Sequence, residues 1–307
     1  MKKMIQKNIL TALFALLAMA SIGQGIRHYN FSTLPYLNAA YTGRNENVEG
    51  VLLYQQQHVK IDGAPRQILG FVDGRVGASP INLGGGVHYQ SIGVQKQIEG
   101  IFNVGYTVKL KKQRRLSFGL QGVIGYRQEK GSELSTTLPG DDIYKQNTSS
   151  WGGNAGIGIA YQSKNFHLGF SVPQLLNNDF LYQTGKNKVR LGSFNFNVTS
   201  AYNLSIGRGF EFIPSVMLRS DKIQRFNADI NLLFKYKEYV WFGPYYRANA
   251  AFGMMLGLGI TKYLRLSYAG EVQQTAARNS YFGSHEVVLG FRIPKKGSGI
   301  SRSPRYF

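Results

Sequence analysis

Hydrophobic and polar residues alternate with a period of two along most of the chain. In the stretch 101–110, IFNVGYTVKL, apolar residues occupy every even position, while Asn, Gly, Thr and Lys occupy the odd positions after Ile101. The stretch 116–126, LSFGLQGVIGY, has Leu, Phe, Ile and Tyr at even positions, and Val123 is the one exception among its odd positions. Such alternation is typical of a β-strand with one apolar and one polar face.

The pattern predicts fourteen strands with no domain boundary between them. The first, second and eleventh alternate least well. The predicted strands lie near residues 48–57, 66–76, 82–91, 98–110, 114–127, 152–162, 165–173, 190–204, 208–219, 224–236, 239–247, 250–260, 262–272 and 285–293.

A soluble β-sandwich also alternates, so strand length and the chemistry of the two faces decide between the folds. Most runs reach the roughly 9–11 residues that cross a bilayer at a tilt, whereas an ordinary strand has about 5–6. One face carries Asn, Thr, Ser, Gln and Gly, which suits a wet lumen, and the other is aliphatic with Tyr and Phe near strand ends. Only a closed barrel satisfies every backbone group in hydrocarbon. The sequence therefore predicts an all-β fold, a transmembrane antiparallel outer-membrane β-barrel.

The predicted connections alternate between long and short. Those after odd-numbered strands include HVKIDGAP, SIGVQKQ, residues 128–151, QLLNNDFLYQTGKNK and TAARNSYFGS, while those after even-numbered strands are short and often basic, such as KKQR and SKN. Bacterial barrels have long extracellular loops and tight periplasmic turns. With an even number of strands, both termini are predicted to be periplasmic.

The first residues have the three parts of a secretory signal: early lysines, an apolar core over 9–20, and small residues at Ser21 and Gly23. We predict cleavage after Gly23 following Sec-type export, and insertion of the mature chain in the outer membrane. The predicted divisions are a signal peptide at 1–23, an N-terminal periplasmic segment at 24–47, the barrel at 48–293 and a basic periplasmic tail at 294–307.

The chain is strongly basic, with a formal net charge of +20, and removing the three lysines of the signal leaves +17. A nucleic-acid partner fits poorly with export. An anionic membrane surface or an acidic periplasmic partner fits better. The chain has no cysteine, so disulfides do not stabilise it.

Candidate chemistry is sparse, and we expect no catalytic, cofactor-binding or metal site. The five histidines show no paired metal-ligand spacing. Ser284, His285 and Glu286 allow an outer-membrane hydrolase as one alternative, although neighbouring strand residues point to opposite faces. Polar residues of the predicted lumen could line a diffusion path or form a side-chain network that fills the barrel; they include Arg219, Arg225, Asp229, Arg265 and Glu271.

The tail PKKGSGISRSPRYF is either a flexible end or a basic peptide that docks onto an acidic periplasmic partner, with aromatic anchors at its end. The candidate partner-binding residues are Lys295, Lys296, Arg302, Arg305, Tyr306 and Phe307.

Two short motifs are informative: FSTLPYLNAAYTG at 31–43, ahead of the first predicted strand, and YQQQHVKIDGAPRQ at 54–67. They resemble the segment ahead of the first strand and the Gly-Ala-Pro hinge of the PorP/SprF family of type IX secretion membrane proteins. Ala39 stands where the family usually has proline, and Gln55 and His58 also depart from its pattern. The matching positions are Asn38, Ala40, Tyr41, Gly43, Gln56, Gly63, Ala64, Pro65 and Arg66.

The resemblance implies a non-enzymatic outer-membrane component of the type IX secretion and gliding machinery. It also implies partners: a secreted surface adhesin or its C-terminal domain, whose export or surface attachment the protein assists, and periplasmic or lipoprotein components of the machine. It also brings a docking role for the tail level with that of a flexible end. The alternatives left by the residues themselves are a passive pore or hydrophobic-solute channel, and the hydrolase.

Overall fold

A computed structural model describes residues 33–45, 47–133, 147–177, 190–220, 226–248, 250–273 and 283–293. The predicted signal peptide and the predicted basic tail lie outside these residues.

Fifteen strand segments form a single antiparallel sheet. The segments are β1 (Val48–Gln56), β2 (Arg66–Arg75), β3 (Ile81–Ile92), β4 (Gln95–Leu110), β5 (Arg114–Lys130), β6 (Asn147–Gln162), β7 (Phe166–Asn177), β8 (Arg190–Tyr202), β9 (Leu204–Gly207), β10 (Phe210–Ser220), β11 (Phe226–Tyr236), β12 (Val240–Arg247), β13 (Ala251–Gly259), β14 (Leu264–Gln273) and β15 (Ser284–Ile293).

The sheet closes into a barrel because β15 pairs with β1 and β10 pairs with β11. Segments β8 and β9 are one strand interrupted at Asn203, and both pair with β10. The result is a closed fourteen-stranded antiparallel barrel, as the alternation predicts. No helix among the described residues is long and apolar enough to cross a membrane.

The two ends of the barrel differ. At the turn end, where β1 begins and β15 ends, the connections are short: 76–80, 111–113, 163–165, 208–209, 237–239 and 260–263. At the loop end they include 57–65, 131–146, 178–189 and 274–283. One prediction is wrong here: SIGVQKQ is not a long loop, because β3 and β4 continue to a turn at Gly93 and Val94.

Outward-facing side chains mark the membrane boundary at the loop end. Cross-strand pairing aligns these side chains in two rows around the barrel, an aromatic and aliphatic row on the membrane side and a polar row on the loop side. The first row is Tyr54, Ile68, Tyr89, Ile98, Tyr126 and Trp151, and the second is His285, Gln56, Arg66, Ser91, Lys96, Gln128 and Ser149. Strands β4, β5 and β6 continue beyond this boundary.

A second aromatic girdle lies at the turn end. It comprises Tyr161, Phe166, Tyr202, Phe210, Tyr236, Tyr239 and Tyr263, several of which contact each other ring to ring. On β4 the apolar span from Ile98 to Val108 lies between the two boundaries, close to the roughly 9–11 residues of a tilted transmembrane strand.

The inner face is not uniformly wet, which corrects the expectation of an aqueous lumen. Two clusters of buried apolar side chains lie inside the barrel, on opposite arcs of its wall. One contains Val51, Leu53, Leu69, Phe71, Ile101 and Val288. The other contains Leu34, Ala40, Tyr41, Ala160, Ala201, Ile213, Met217, Leu233, Tyr245, Met255 and Ala269. The cluster that contains Val51 and Leu69 explains why β1 and β2 alternate poorly, because both faces of these strands carry apolar residues.

Candidate functional site: the occupied lumen

Residues 33–45, here called the lumen segment, lie inside the barrel. They form a short helix, α1 (Leu34–Leu37), and a 3₁₀ turn (Ala39–Tyr41). Pro35 suits the first turn of α1 because its missing N–H is not needed there. Asn38 ends α1 and caps the 3₁₀ turn, since its Oδ1 accepts the N–H of Ala40 at 2.9 Å.

Strands β6, β7 and β8 bind one side of the lumen segment. Asn38 donates from Nδ2 to the carbonyl of Phe170 at 3.2 Å. Ser171 donates to the carbonyl of Leu37 at 2.9 Å. The hydroxyls of Tyr41 and Thr199 are hydrogen-bonded at 2.9 Å. These bonds satisfy polar groups that are buried away from solvent.

Strands β4 and β5 bind the other side through amide side chains. Asn103 donates from Nδ2 to the carbonyl of Pro35 at 2.7 Å and to Oγ1 of Thr42 at 3.1 Å. Gln121 donates to the carbonyl of Tyr36 at 3.1 Å. The free carbonyls of a short helix thereby gain partners from the barrel wall.

Three inward-facing glycines on adjacent strands make room for the lumen segment. A methyl group at Gly119 would overlap the backbone of Ala39. One at Gly158 would overlap the side-chain oxygen of Asn38, and one at Gly169 the hydroxyl of Tyr41. These positions form a groove that any larger residue would fill.

Gly43 fixes the exit of the lumen segment towards β1. Its φ of +62° is a conformation that favours glycine. Its N–H donates to Oδ2 of Asp73 at 2.6 Å, and a Cβ there would lie 2.6 Å from the side chain of Asn82. The family-motif positions Asn38, Ala40, Tyr41 and Gly43 therefore all serve to seat this segment.

The lumen segment also joins the two apolar clusters. Leu34 and Tyr41 pack in one cluster. Tyr36 packs against the other, together with Val123, which explains the exception in the alternation of β5. Burial raises the pKa of Tyr36, and it raises the pKa of Tyr41 to about 12, so both phenols are neutral near pH 7.

Charged side chains form a network on the opposite wall. Arg247 donates from Nε to Oδ1 of Asp229 at 3.1 Å and from Nη1 to Oε2 of Glu271 at 3.1 Å. Arg219 is paired with the same Asp229. The structure thus favours the side-chain network over the diffusion path.

Nearer the turn end, Arg292 lies 3.1 Å and Arg265 3.7 Å from Oε1 of Glu49. The fifth predicted lumen residue, Arg225, lies outside the described residues.

The first loop, residues 57–65, ties neighbouring hairpins together. Gly63 has a φ of +73°, and its carbonyl accepts the N–H of Gly93 at 2.7 Å. Val59 donates to the carbonyl of Gly283 at 3.1 Å. The motif residues Ala64 and Pro65 close the loop. Ala64 is buried, and the carbonyl of Pro65 accepts a hydrogen bond from the N–H of Gln57. Arg66 is the first residue of β2.

Gln56 ends β1 and accepts a hydrogen bond from the hydroxyl of Tyr54 at 3.1 Å. The hinge is thus confirmed as the connection between two membrane-crossing strands.

The predicted hydrolase residues do not come together. Ser284 is fully buried on the inner face, while His285 lies on the outer face against Tyr268. Among the described residues, no group of three or more His, Asp or Glu side chains could hold a metal ion. The six candidate residues of the tail lie outside the described residues.

Sequence reasoning missed the wall residues that seat the lumen segment, chiefly Asn103, Gly119, Gly158 and Gly169. A signal for them exists. All four occupy polar-face positions of their strands, and the three glycines lie on consecutive strands.

The family model for "Type IX secretion system membrane protein PorP/SprF" matches residues 24–291. The chain belongs to this family. The PorP/SprF protein described here is a component of the type IX secretion system in the outer membrane, as its family and its closed barrel with an apolar exterior together establish.

Solved structures that resemble this PorP/SprF protein are outer-membrane barrels. The outer membrane protein Omp33 of Acinetobacter baumannii matches with 9% identity and a TM-score of 0.46, over 81% of this chain and 99% of that chain. The CymD monoaromatic hydrocarbon channel matches with 10% identity and a TM-score of 0.48, over 88% of this chain and 94% of that chain. No curated protein matches the chain.

Proposed function

We propose that this PorP/SprF protein is a non-enzymatic component of the secretion machinery that assists export or surface attachment of one adhesin and contacts periplasmic partners. Family membership supports the machinery role. The occupied lumen is the observation that supports an assembly role over a pore, because one segment contacts both walls of the barrel.

Under this proposal the loop end faces outside, since bacterial barrels place their long loops there. The adhesin, or its C-terminal domain, contacts the loops within 128–151, 174–189 and 273–284. The turn end and both termini face the periplasm.

The hairpin between β4 and β5 is the proposed periplasmic contact. It carries five cations within residues 109–115, of which Lys109, Lys111, Lys112 and Arg114 are exposed. The fifth, Arg115, donates to the carbonyl of Arg44 in the lumen segment at 3.0 Å. An acidic periplasmic or lipoprotein partner that binds this hairpin would therefore contact an element hydrogen-bonded to the lumen segment. The tail, with Lys295, Lys296, Arg302, Arg305, Tyr306 and Phe307, would extend the same basic surface.

The test is gene deletion followed by surface labelling of all type IX cargo, with affinity purification of the protein from native membranes. We expect one adhesin to be lost from the surface and to co-purify with the barrel. Normal display of every cargo after deletion would contradict the proposal.

Neutralising the hairpin (K109Q/K111Q/K112Q/R114Q) should deplete periplasmic partners and leave the barrel folded. The matched control removes four cations at the loop end (K60Q/R66Q/K96Q/K130Q).

A further inference from the structure

A second group of cations continues around the turn end, starting at the turn next to the hairpin between β4 and β5. Four exposed residues on successive turns define it, and we call them the cationic arc: Lys164, Arg208, Lys237 and Lys262. Backbone hydrogen bonds between neighbouring turns hold the arc in place. The N–H of Asn203 donates to the carbonyl of Asn165 at 2.7 Å, and the N–H of Lys237 donates to the carbonyl of Gly209 at 2.7 Å.

Two arc residues lie over tyrosines of the membrane girdle. The Nζ of Lys237 is 5.3 Å from the ring centroid of Tyr236, and that of Lys262 is 4.9 Å from the ring of Tyr263. Aromatic girdles sit at the level of lipid headgroups. These two ammonium groups therefore lie at the depth of lipid phosphates.

Lys237 lies against the turn that carries Arg208. Arg208 occupies the tight turn next to Gly209, and a Cβ at Gly209 would lie 2.9 Å from Cγ of Lys237. The stem of Lys237 thus packs against Gly209. The two cations lie on adjacent turns, one just before Phe210 and the other just after Tyr236, whose rings contact each other.

Acidic residues at the turn end are engaged elsewhere. Glu49 pairs with Arg292 and Arg265, and Glu238 with Arg292 at 3.5 Å. Glu211 lies 3.8 Å from Lys235. Among the described residues, none of the four arc cations belongs to an ion pair, so their charge is available to a ligand.

We propose that the cationic arc binds the phosphate groups of anionic phospholipids in the leaflet at the turn end. Outward apolar side chains beside it, Ile206, Phe210 and Tyr239, are more than half exposed and would contact the acyl chains. A bilayer partner is favoured over an acidic protein because two of the four arc cations, Lys237 and Lys262, lie over girdle tyrosines at the level of the lipid headgroups.

The experiment counts lipids retained by the purified full-length barrel after exchange into detergent with equal phosphatidylglycerol and phosphatidylethanolamine, using native mass spectrometry. The variant K164Q/R208Q/K237Q/K262Q should retain far less phosphatidylglycerol, by about fivefold or more, since each surface cation contributes attraction to anionic lipid. The hairpin variant K109Q/K111Q/K112Q/R114Q loses the same charge at the same end of the barrel and should retain the wild-type number.

A milder variant, R208Q/K237Q, should lower the count partially, and heat-modifiable gel mobility verifies that each barrel is folded. Equal retention by the arc variant and wild type would overturn the proposal. So would an equal loss in the hairpin control, or a wild-type barrel that retains both lipids alike. Loss of a protein partner with unchanged lipid retention would assign the arc to that partner instead.

Discussion

Gly158 on β6 leaves the space that the side-chain oxygen of Asn38 occupies in the lumen. The side chain of Asn38 accepts a hydrogen bond from the N–H of Ala40 and donates one to the carbonyl of Phe170. A glycine of the wall and an asparagine that precedes the first strand by ten residues thus form one packing unit.

Gly158→Val should displace the lumen segment, because the new side chain overlaps Asn38. The chain has no cysteine, so cysteines introduced at Thr42 and Asn103, whose Oγ1 and Nδ2 are 3.1 Å apart, report on its position. We expect the T42C/N103C pair to form a disulfide readily in the parent protein and poorly with Gly158→Val.

The control is Gly153→Val on the same strand, where an added Cβ would meet only the carbonyl of Val123 at 3.5 Å on the outward side. Equal disulfide yields in the two variants would show that the groove does not position the segment.

Arg247→Met should destabilise the barrel by about 3–5 kcal/mol, because it leaves Asp229 and Glu271 buried without their shared cation. The measurement is the temperature at which the folded form disappears from heat-modifiable gels. Combining Arg247→Met with E271Q should recover part of the loss, since Glu271 is then neutral and Asp229 keeps its pairing with Arg219. If the Arg247→Met variant were as stable as the wild type, the charged network would not stabilise the barrel.

Tyr41→Phe should change how stability depends on alkaline pH. Burial raises the pKa of Tyr41 to about 12, above the value near 10 of an exposed tyrosine. The stabilisation that comes from keeping Tyr41 protonated in the folded state is therefore fully present below pH 10. As the pH rises from 10 to 12, the free energy of unfolding falls by about 2–3 kcal/mol.

The phenylalanine variant lacks this term, so the gap between wild type and variant should narrow over that interval. Because Tyr36 titrates in both proteins, only the difference is informative, and parallel curves would contradict the prediction.

Gly63→Ala should loosen the first loop. The substitution strains a φ of +73° and places a Cβ 3.1 Å from Cα of Gly93, with an expected cost of about 1–2 kcal/mol. Faster cleavage by trypsin after Lys60 is the measurement. Gly77→Ala is the matched control, because Gly77 has a φ of +56° and nothing within 4 Å of the added Cβ; comparable cleavage in both variants would rule out the contact with Gly93.

The strand pattern was predictable because each outward side chain meets hydrocarbon, whatever its neighbours. Phe102, Val104 and Tyr106 show this directly, since all three are exposed on the outer face. Strand ends beyond the membrane were not predictable in the same way: residues 95–97 are polar on both faces, and only pairing with β3 and β5 makes them part of β4.

The lumen segment could not be placed from sequence. Its partners, such as Asn103, Phe170 and Thr199, lie about 60 to 160 residues away along the chain, and no local period records such contacts. The apolar inner residues Val51 and Leu69 were visible only as poor alternation. They make sense once Tyr36 is known to pack near them.

The lumen segment occupies the interior of the barrel, and we propose on this ground that the protein serves assembly and not conduction. Planar-bilayer recording of the full-length wild-type protein is the decisive measurement. We predict a silent barrel, and currents that appear when residues 33–43 are deleted. A large, steady open current from the wild-type protein would contradict the claim.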